Sequence, residues 1–280
     1  MNETLLIVDG HNLLFQMFFG MPNRIINGQG KAIQGIIGFV GALRKIIMQT
    51  NPSHVVVLFD GEHENPRKEL LSDYKANRPE YSLVEEENPF AQLDDIYRAL
   101  DVMGICHCET TETETDDVIA SYAYTYGKDM KIIISSWDSD FFQLITDNVS
   151  VLRYRGKSGY VCDKAYISEK LGIVPEIYAD FKSLVGDGAD NIRGAYKVGP
   201  KTAAELLAQF GTLEQVLEKA DEITKKHIRQ SIIQDKERLR INYQLIRLND
   251  LATIPFPVEK LVYQEQVQKT NEILAQIGLL

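Results

Sequence analysis

The chain has little cysteine, a single tryptophan, no long apolar run and no surplus of positive charge. Its three cysteines, Cys106, Cys108 and Cys162, are too few and odd in number to imply a disulfide framework. Cys106-His107-Cys108 combines residue types that suit zinc, but neighbours on a strand point to opposite faces. Two buried thiols on one strand face is the reading adopted here. No apolar stretch approaches the roughly 18 residues of a membrane span. Thr4 to Val8 is short and runs into an acid, without a basic leader segment or cleavage site. A cytoplasmic protein with no membrane partner is therefore expected. The net charge of −10 weighs at first against a nucleic-acid partner.

A hydrophobic fraction of 44% with 25% charged residues argues against wholesale disorder. A chain of 280 residues can build one large domain or two modest ones. Leu5-Leu6-Ile7-Val8 reads as a buried strand that meets Asp9-Gly10. Val55 to Phe59 repeats the pattern and ends in Asp60, and Lys131 to Ser135 leads to Asp138 and Asp140. Helical periodicity runs from Ala32 to Met48, despite Gly35, Gly38 and Gly41, and again from Asn88 to Met103. Strands separated by helices predict an α/β fold with a mainly parallel central sheet. Such sheets gather functional groups beyond the carboxyl ends of their strands, where these acids fall. From Gly172 to Leu280 short helical patterns dominate, with one strand expected at Lys260–Tyr263. The expected division is an α/β domain over 1–171 and a helical lobe over 172–280.

Glu114, Asp116 and Asp117 open a helical run through Ala123, where helix capping accounts for one or two acids and leaves the third unexplained. Asp138 and Asp140 lie two apart, on one side if the chain stays extended. Asp187 and Asp190 sit in a glycine-rich turn, where turn capping is the competing reading. With Asp9 and Asp60 these acids account for nearly all of the net charge, so charge alone does not decide the partner. Gathering so many anions is costly unless hard cations lie among them. Magnesium, with manganese as its substitute, takes oxygen ligands, and two such ions suit phosphoryl hydrolysis.

Arg67, Lys68, Lys75 and Arg78 supply positive charge on a short basic helix expected at Lys68 to Arg78. They read either as a solvated face or, for Lys75 and Arg78 three apart, as a phosphate grip. Val198-Gly199-Pro200-Lys201-Thr202-Ala203 reads as a turn entering a helix whose first turn, with Lys201, suits a backbone phosphate or simple helix packing. Lys225, Lys226, His227 and Arg229 either extend that contact or form a solvated face.

Six separated motifs together resemble the structure-specific 5′ nucleases, the flap endonuclease family that includes the 5′–3′ exonuclease domain of bacterial DNA polymerase I. They are Leu6-Ile7-Val8-Asp9-Gly10, Phe59-Asp60, Asp73 through Pro79, Glu114-Thr115-Asp116-Asp117, Asp138-Ser139-Asp140 and Gly186 through Asn191. The resemblance runs in order from about residue 4 to about 250. It implies a PIN-like nuclease fold with a helix-three-turn-helix element in the helical lobe. It implies that Asp9, Asp60, Glu114 and Asp116 border a first metal. Asp117 would support the junction within this metal-binding set, while Asp138, Asp140, Asp187 and Asp190 would form the second-metal side. Tyr74 would stack near the nucleotide, Lys75 and Arg78 would steady phosphate, and Arg67 and Lys201 would touch nucleic acid. A gateway is expected within 67–95, its arch at Tyr81 to Phe90, and a potassium ion at the 194–199 turn. Arg193 and Tyr196-Lys197 depart from the family pattern at that turn, and Trp137 stands where a glycine is common, as a core residue or a stacking platform. The implied activity is magnesium-dependent 5′–3′ exonuclease and 5′ flap endonuclease cleavage of branched, nicked or 5′-ended DNA. RNA–DNA primer junctions are further substrates to consider. An RNA-directed 5′ nuclease and a catalytically weak junction-binding protein are the rivals. A monomer is expected, with any polymerase a separate partner.

Overall fold

Leu5, Leu6, Ile7 and Val8 are completely buried because β1 (Thr4–Asp9) forms the middle of a six-stranded sheet. The computed structural model describes residues 3–61, 67–76, 88–156, 158–264 and 268–280. After β1 come helices α1 (Gly10–Gly20) and α2 (Gln34–Thr50), then β2 (His54–Asp60). Next are α3 (Arg67–Leu70), α4 (Leu93–Val102), β3 (Cys106–Thr110) and α5 (Thr115–Tyr126). The sheet is completed by β4 (Lys131–Ser135), β5 (Val149–Arg153) and β6 (Tyr160–Cys162). The strand order is β3-β2-β1-β4-β5-β6, parallel throughout except for antiparallel β6 at the edge. The mainly parallel α/β sheet expected from the sequence is present.

Alternate residues of each strand feed two cores. Leu5, Ile7, Val56, Leu58, Ile132 and Ile134 face α5 and the helical lobe, while Leu6, Val8, Val55, Val57 and Phe59 face α1, α2 and α4. Strand order reverses across β1, whose neighbours β2 and β4 lead outward in opposite directions. This makes the end of β1 the topological switch point, and Asp9 stands there.

The helical lobe contains α6 (Lys164–Leu171), α7 (Tyr178–Val185), a two-residue-stranded hairpin of β7 (Gly186–Asp187) and β8 (Ile192–Arg193), and α8 (Pro200–Phe210). It continues through α9 (Leu213–Glu218) and α10 (Lys226–Ile246). Two glycines let the hairpin close tightly against α7. A Cβ on Gly194 would lie 2.2 Å from the Val185 carbonyl carbon, and one on Gly186, at φ +89°, would lie 2.4 Å from Gly194 N. Arg238 and Asn242 of α10 donate to the Arg193 carbonyl, fixing the hairpin to the long helix.

Three local expectations change. Lys260–Tyr263 is not a strand: Val258–Leu261 is a 3-10 turn, followed by a single bridge from Val262 to His54. The chain then returns to the first lobe, where α11 (Thr270–Gln276) buries Ile273 and Leu274 in the α2–α4 core. The basic helix stops at Leu70, followed by turns through Ala76 with Lys75 at φ +57°. Arg78 and most of the expected arch, residues 77–87, lie outside the described residues. Cys106 and Cys108 are half-buried rather than buried. Among the described residues no helix is long and apolar enough to cross a membrane.

Candidate metal centre and active site

Asp9 ends β1 and begins α1, and its carboxylate serves both. Oδ1 accepts the Asn12 amide at 3.1 Å as a helix N-cap, and Oδ2 accepts the Ser136 hydroxyl at 2.9 Å. Asp60 ends β2 and caps a different helix, with Oδ1 3.0 Å from Thr115 N of α5. Asp116 is the second residue of that helix. A cavity of about 830 Å³ opens here, lined by Asp9, Asp60, Asp116, Asp138 and Lys75 and also by His11, Phe15, Phe90 and Leu93. His11 Nδ1 accepts from the Asp60 amide at 3.3 Å, and its ring meets Phe59 and Phe90 edge-on.

The second acidic group lies beside the first. Oxygens of Asp140, Asp187 and Asp190 all fall within 4.8 Å of one another. Asp138 links the groups: its charge acts on Asp9 and Asp116, and it is acted on by Asp187 and Asp190. Burial pushes Asp9 up to about 7, assisted by the charges of Asp138 and Asp60. Burial and Asp138 likewise push Asp140 up to about 7. Asp116 is raised well above its ordinary value by burial and by Asp138, Asp9 and Glu114. The ends of β1, β2 and β4, the start of α5 and the β7–β8 hairpin thus bring acids from five chain segments together, and their burial among like charges raises several of them.

Among the described residues, Arg67 and Lys75 are each paired with acids. Arg67 is buried, and its guanidinium bridges Glu114 and Asp117, with Nη2 2.8 Å from Asp117 Oδ1. Asp117 also accepts from Asn249 N at 2.8 Å and Thr113 Oγ1 at 3.0 Å. Both of its oxygens accept hydrogen bonds, and Asp117 does not line the cavity. Glu114 holds Lys75 Nζ at 2.5 Å, and Lys75 itself lines the cavity. Tyr74, expected to stack on a nucleotide, is only 4% exposed and packs against Ala179, Ile192, Leu245 and Ile246. Its hydroxyl reaches Asp190 at 3.5 Å, so it ties the Asp73–Ala76 turns to the second acidic group.

Lys182 was not anticipated. Its Nζ lies 2.6 Å from Asp187 Oδ2 and 3.5 Å from Asp140 Oδ1, inside the second acidic group. Burial lowers its pKa, but Asp140, Tyr178 and Asp187 outweigh burial and raise it, so the amine stays charged. The available signal was a lysine in the last turn of a helix running straight into Gly186-Asp187. Ser136 was missed as well. Trp137 is half-buried, its Nε1 donating to the Tyr154 carbonyl at 2.8 Å, with Arg153 over its ring. Lys201 is exposed in the first turn of α8 and does not line the cavity. At the 194–199 turn, Val198 N donates to Ala195 O at 3.1 Å and Arg238 to Gly194 O at 3.0 Å, with Lys197 at φ +61°.

Comparison with known proteins agrees with this arrangement. The family model for the 5′–3′ exonuclease N-terminal resolvase-like domain matches residues 4–172, and that for the 5′–3′ exonuclease C-terminal SAM fold matches residues 173–269. Thermostable DNA polymerase I of Thermus thermophilus is 33% identical over 256 residues, covering 91% of this chain and 30% of the relative. DNA polymerase I of Streptococcus pneumoniae is 34% identical over 286 residues, covering 99% of this chain and 32% of the relative. The chain thus spans about a third of the length of these relatives. Among solved structures, the bacteriophage T5 5′-exonuclease with bound zinc superposes with TM-score 0.73 at 23% identity, covering 88% of this chain and 90% of that one. The catalytic core of Rad2 in complex with DNA substrate gives 0.60 at 18%, covering 99% and 93%. At these identities the two structures establish likeness of fold. The matched family models and the polymerase relatives together place the chain in the 5′–3′ exonuclease family of structure-specific 5′ nucleases, related to the corresponding region of DNA polymerase I.

Proposed function

We propose that the chain is a magnesium-dependent 5′ nuclease that hydrolyses DNA phosphodiester bonds at flaps, nicks and recessed 5′ ends, leaving 5′ phosphate and 3′ hydroxyl. The observation that supports it most is the convergence of Asp9, Asp60, Asp116 and Asp138 on one cavity, with Asp140, Asp187 and Asp190 beside them. The donor set is entirely carboxylate oxygen, which suits magnesium or manganese. Asp140 Oδ1 is buried with Lys182 Nζ 3.5 Å away, so positive charge is already held beside this oxygen. Bound divalent ions would lower the pKa of attacking water and offset charge on the leaving oxygen. Family membership supports the reading, as do the names of two neighbours: a T5 flap endonuclease complex with DNA and metal ions, and Rad2 with DNA substrate.

In this reading the cavity-facing acids hold the ions, while Glu114 and Asp117 act from behind through Arg67. Lys75 exchanges Glu114 for the scissile phosphate when DNA enters, and Arg78 is assigned the same task. Lys201 at the α8 N-terminus grips a phosphate of the duplex without reading bases. Residues 1–171 supply most of the acids, and 172–280 supply Asp187, Asp190 and the duplex contact.

End-labelled flaps, nicked and blunt duplexes, and matched RNA flaps, incubated with magnesium, manganese or chelator, test the proposal. Magnesium-dependent release of short 5′-labelled DNA products is expected. Cleavage that survives chelation, starts from 3′ ends or strongly prefers RNA flaps would overturn it.

A further inference from the structure

Ser136 follows β4 and is 3% exposed. Its Oγ lies 2.9 Å from Asp9 Oδ2 and 3.0 Å from Asp138 N. An amide N–H can only donate, so Oγ accepts from Asp138 and its one proton is directed to Asp9. The other Asp9 oxygen takes the Asn12 amide at 3.1 Å. Asp138 Oδ1, in turn, takes the Asp140 amide at 2.8 Å. The Ser136 hydroxyl therefore joins the Asp9 carboxylate to the main chain at Asp138, whose own carboxylate is held in turn by the main-chain amide of Asp140. With both donors in place, the Asp9 carboxylate cannot rotate without losing one of them. The neutral hydroxyl carries out a task that a second cation or acid would do badly here, because it adds no charge.

We propose that Ser136 is a positioning residue that fixes Asp9 relative to Asp138 and so couples ion binding on the two sides of the site. The inference rests on the metal-dependent reading above. Groups that orient a ligating carboxylate typically change metal affinity or activity by about 10- to 100-fold when removed.

The test compares wild type, Ser136→Ala and Ser136→Thr. Manganese affinity is measured without DNA, by electron paramagnetic resonance of the free ion. Flap affinity is measured in calcium, and kcat and KM in magnesium. Ser136→Ala is expected to lose about 10- to 100-fold in manganese affinity and to show a matching fall in kcat at limiting magnesium, with flap affinity and KM unchanged. Threonine keeps the hydroxyl and restores both. Should its added methyl unfold the chain, Ser136→Cys, close in shape with a weaker donor, falls between wild type and Ser136→Ala. Manganese affinity and kcat of Ser136→Ala equal to wild type would overturn the inference. So would a folded Ser136→Thr as defective as the alanine variant, or a cysteine variant no better than alanine. A wild-type chain that neither binds manganese nor cleaves would instead overturn the metal-dependent reading itself.

Discussion

Asp60 at the end of β2 accepts the amide proton of Thr115 at 3.0 Å and so caps the helix that presents Asp116. Asp9 does the same for α1 through Asn12. The strand-end acids are thus fixed by helix amides through one oxygen while the carboxylate borders the cavity.

This double use separates two substitutions of Asp60. Asp60→Asn keeps an oxygen to cap α5, so its melting temperature should stay near wild type while cleavage collapses. Asp60→Ala should lose activity and about 1 kcal/mol of stability, the usual cost of an N-cap. Equal thermal stability of the two variants would show that the cap contributes nothing.

Lys75 Nζ borders the cavity but is held by Glu114 at 2.5 Å. Lys75→Ala should bind duplex and flap in calcium as wild type does and cleave about 100-fold more slowly, the scale for losing a group that steadies developing charge. An activity equal to wild type in single-turnover measurements would remove Lys75 from the chemistry.

Much of this was legible in the sequence because continuous apolar runs ending in acid permit little else. Leu5–Val8 and Val55–Phe59 had to be buried strands, and their terminal acids had to emerge at one sheet edge. The cations were harder to place, since their partners are remote in sequence. Arg67 meets Asp117 fifty residues on, and Tyr74 is buried by residues of β8 and α10. No local pattern encodes those meetings. The left-handed backbone at Lys75 was hidden too, because a lysine carries no signal of positive φ as glycine does.

Lys182 sits among Asp140 and Asp187 as an internal counter-charge. Lys182→Met should destabilise the metal-free chain by on the order of 3 kcal/mol, because it leaves buried carboxylates uncompensated. Manganese should recover much of that loss by supplying the missing charge, so the shift in melting temperature on adding manganese should exceed that of wild type. Equal shifts in the two proteins would mean that Lys182 and the ion do not act on the same acids.

The raised carboxylates give the metal-free chain a characteristic response to pH. Burial, reinforced by Asp138, raises both Asp9 and Asp140 to about 7, against an ordinary value of 3.8. Between those values the folded chain holds protons that the unfolded chain has released. Their contribution is therefore fully present below about pH 4 and is lost as pH rises through about 7, by up to about 1.4 kcal/mol per unit for each group. Divalent ions bind the ionised acids, so added magnesium should stabilise little at low pH and increasingly above neutrality. Other groups also titrate over this range, so the informative quantity is the difference between wild type and Asp9→Asn. In chelator, the asparagine variant should lose less stability than wild type from about pH 5 to about pH 8, since one of the proton-holding groups is gone. Urea unfolding at a series of pH values measures this directly. Parallel curves for the two proteins would mean that Asp9 does not titrate in that window, and the crowding of anions at the end of β1 would need another explanation.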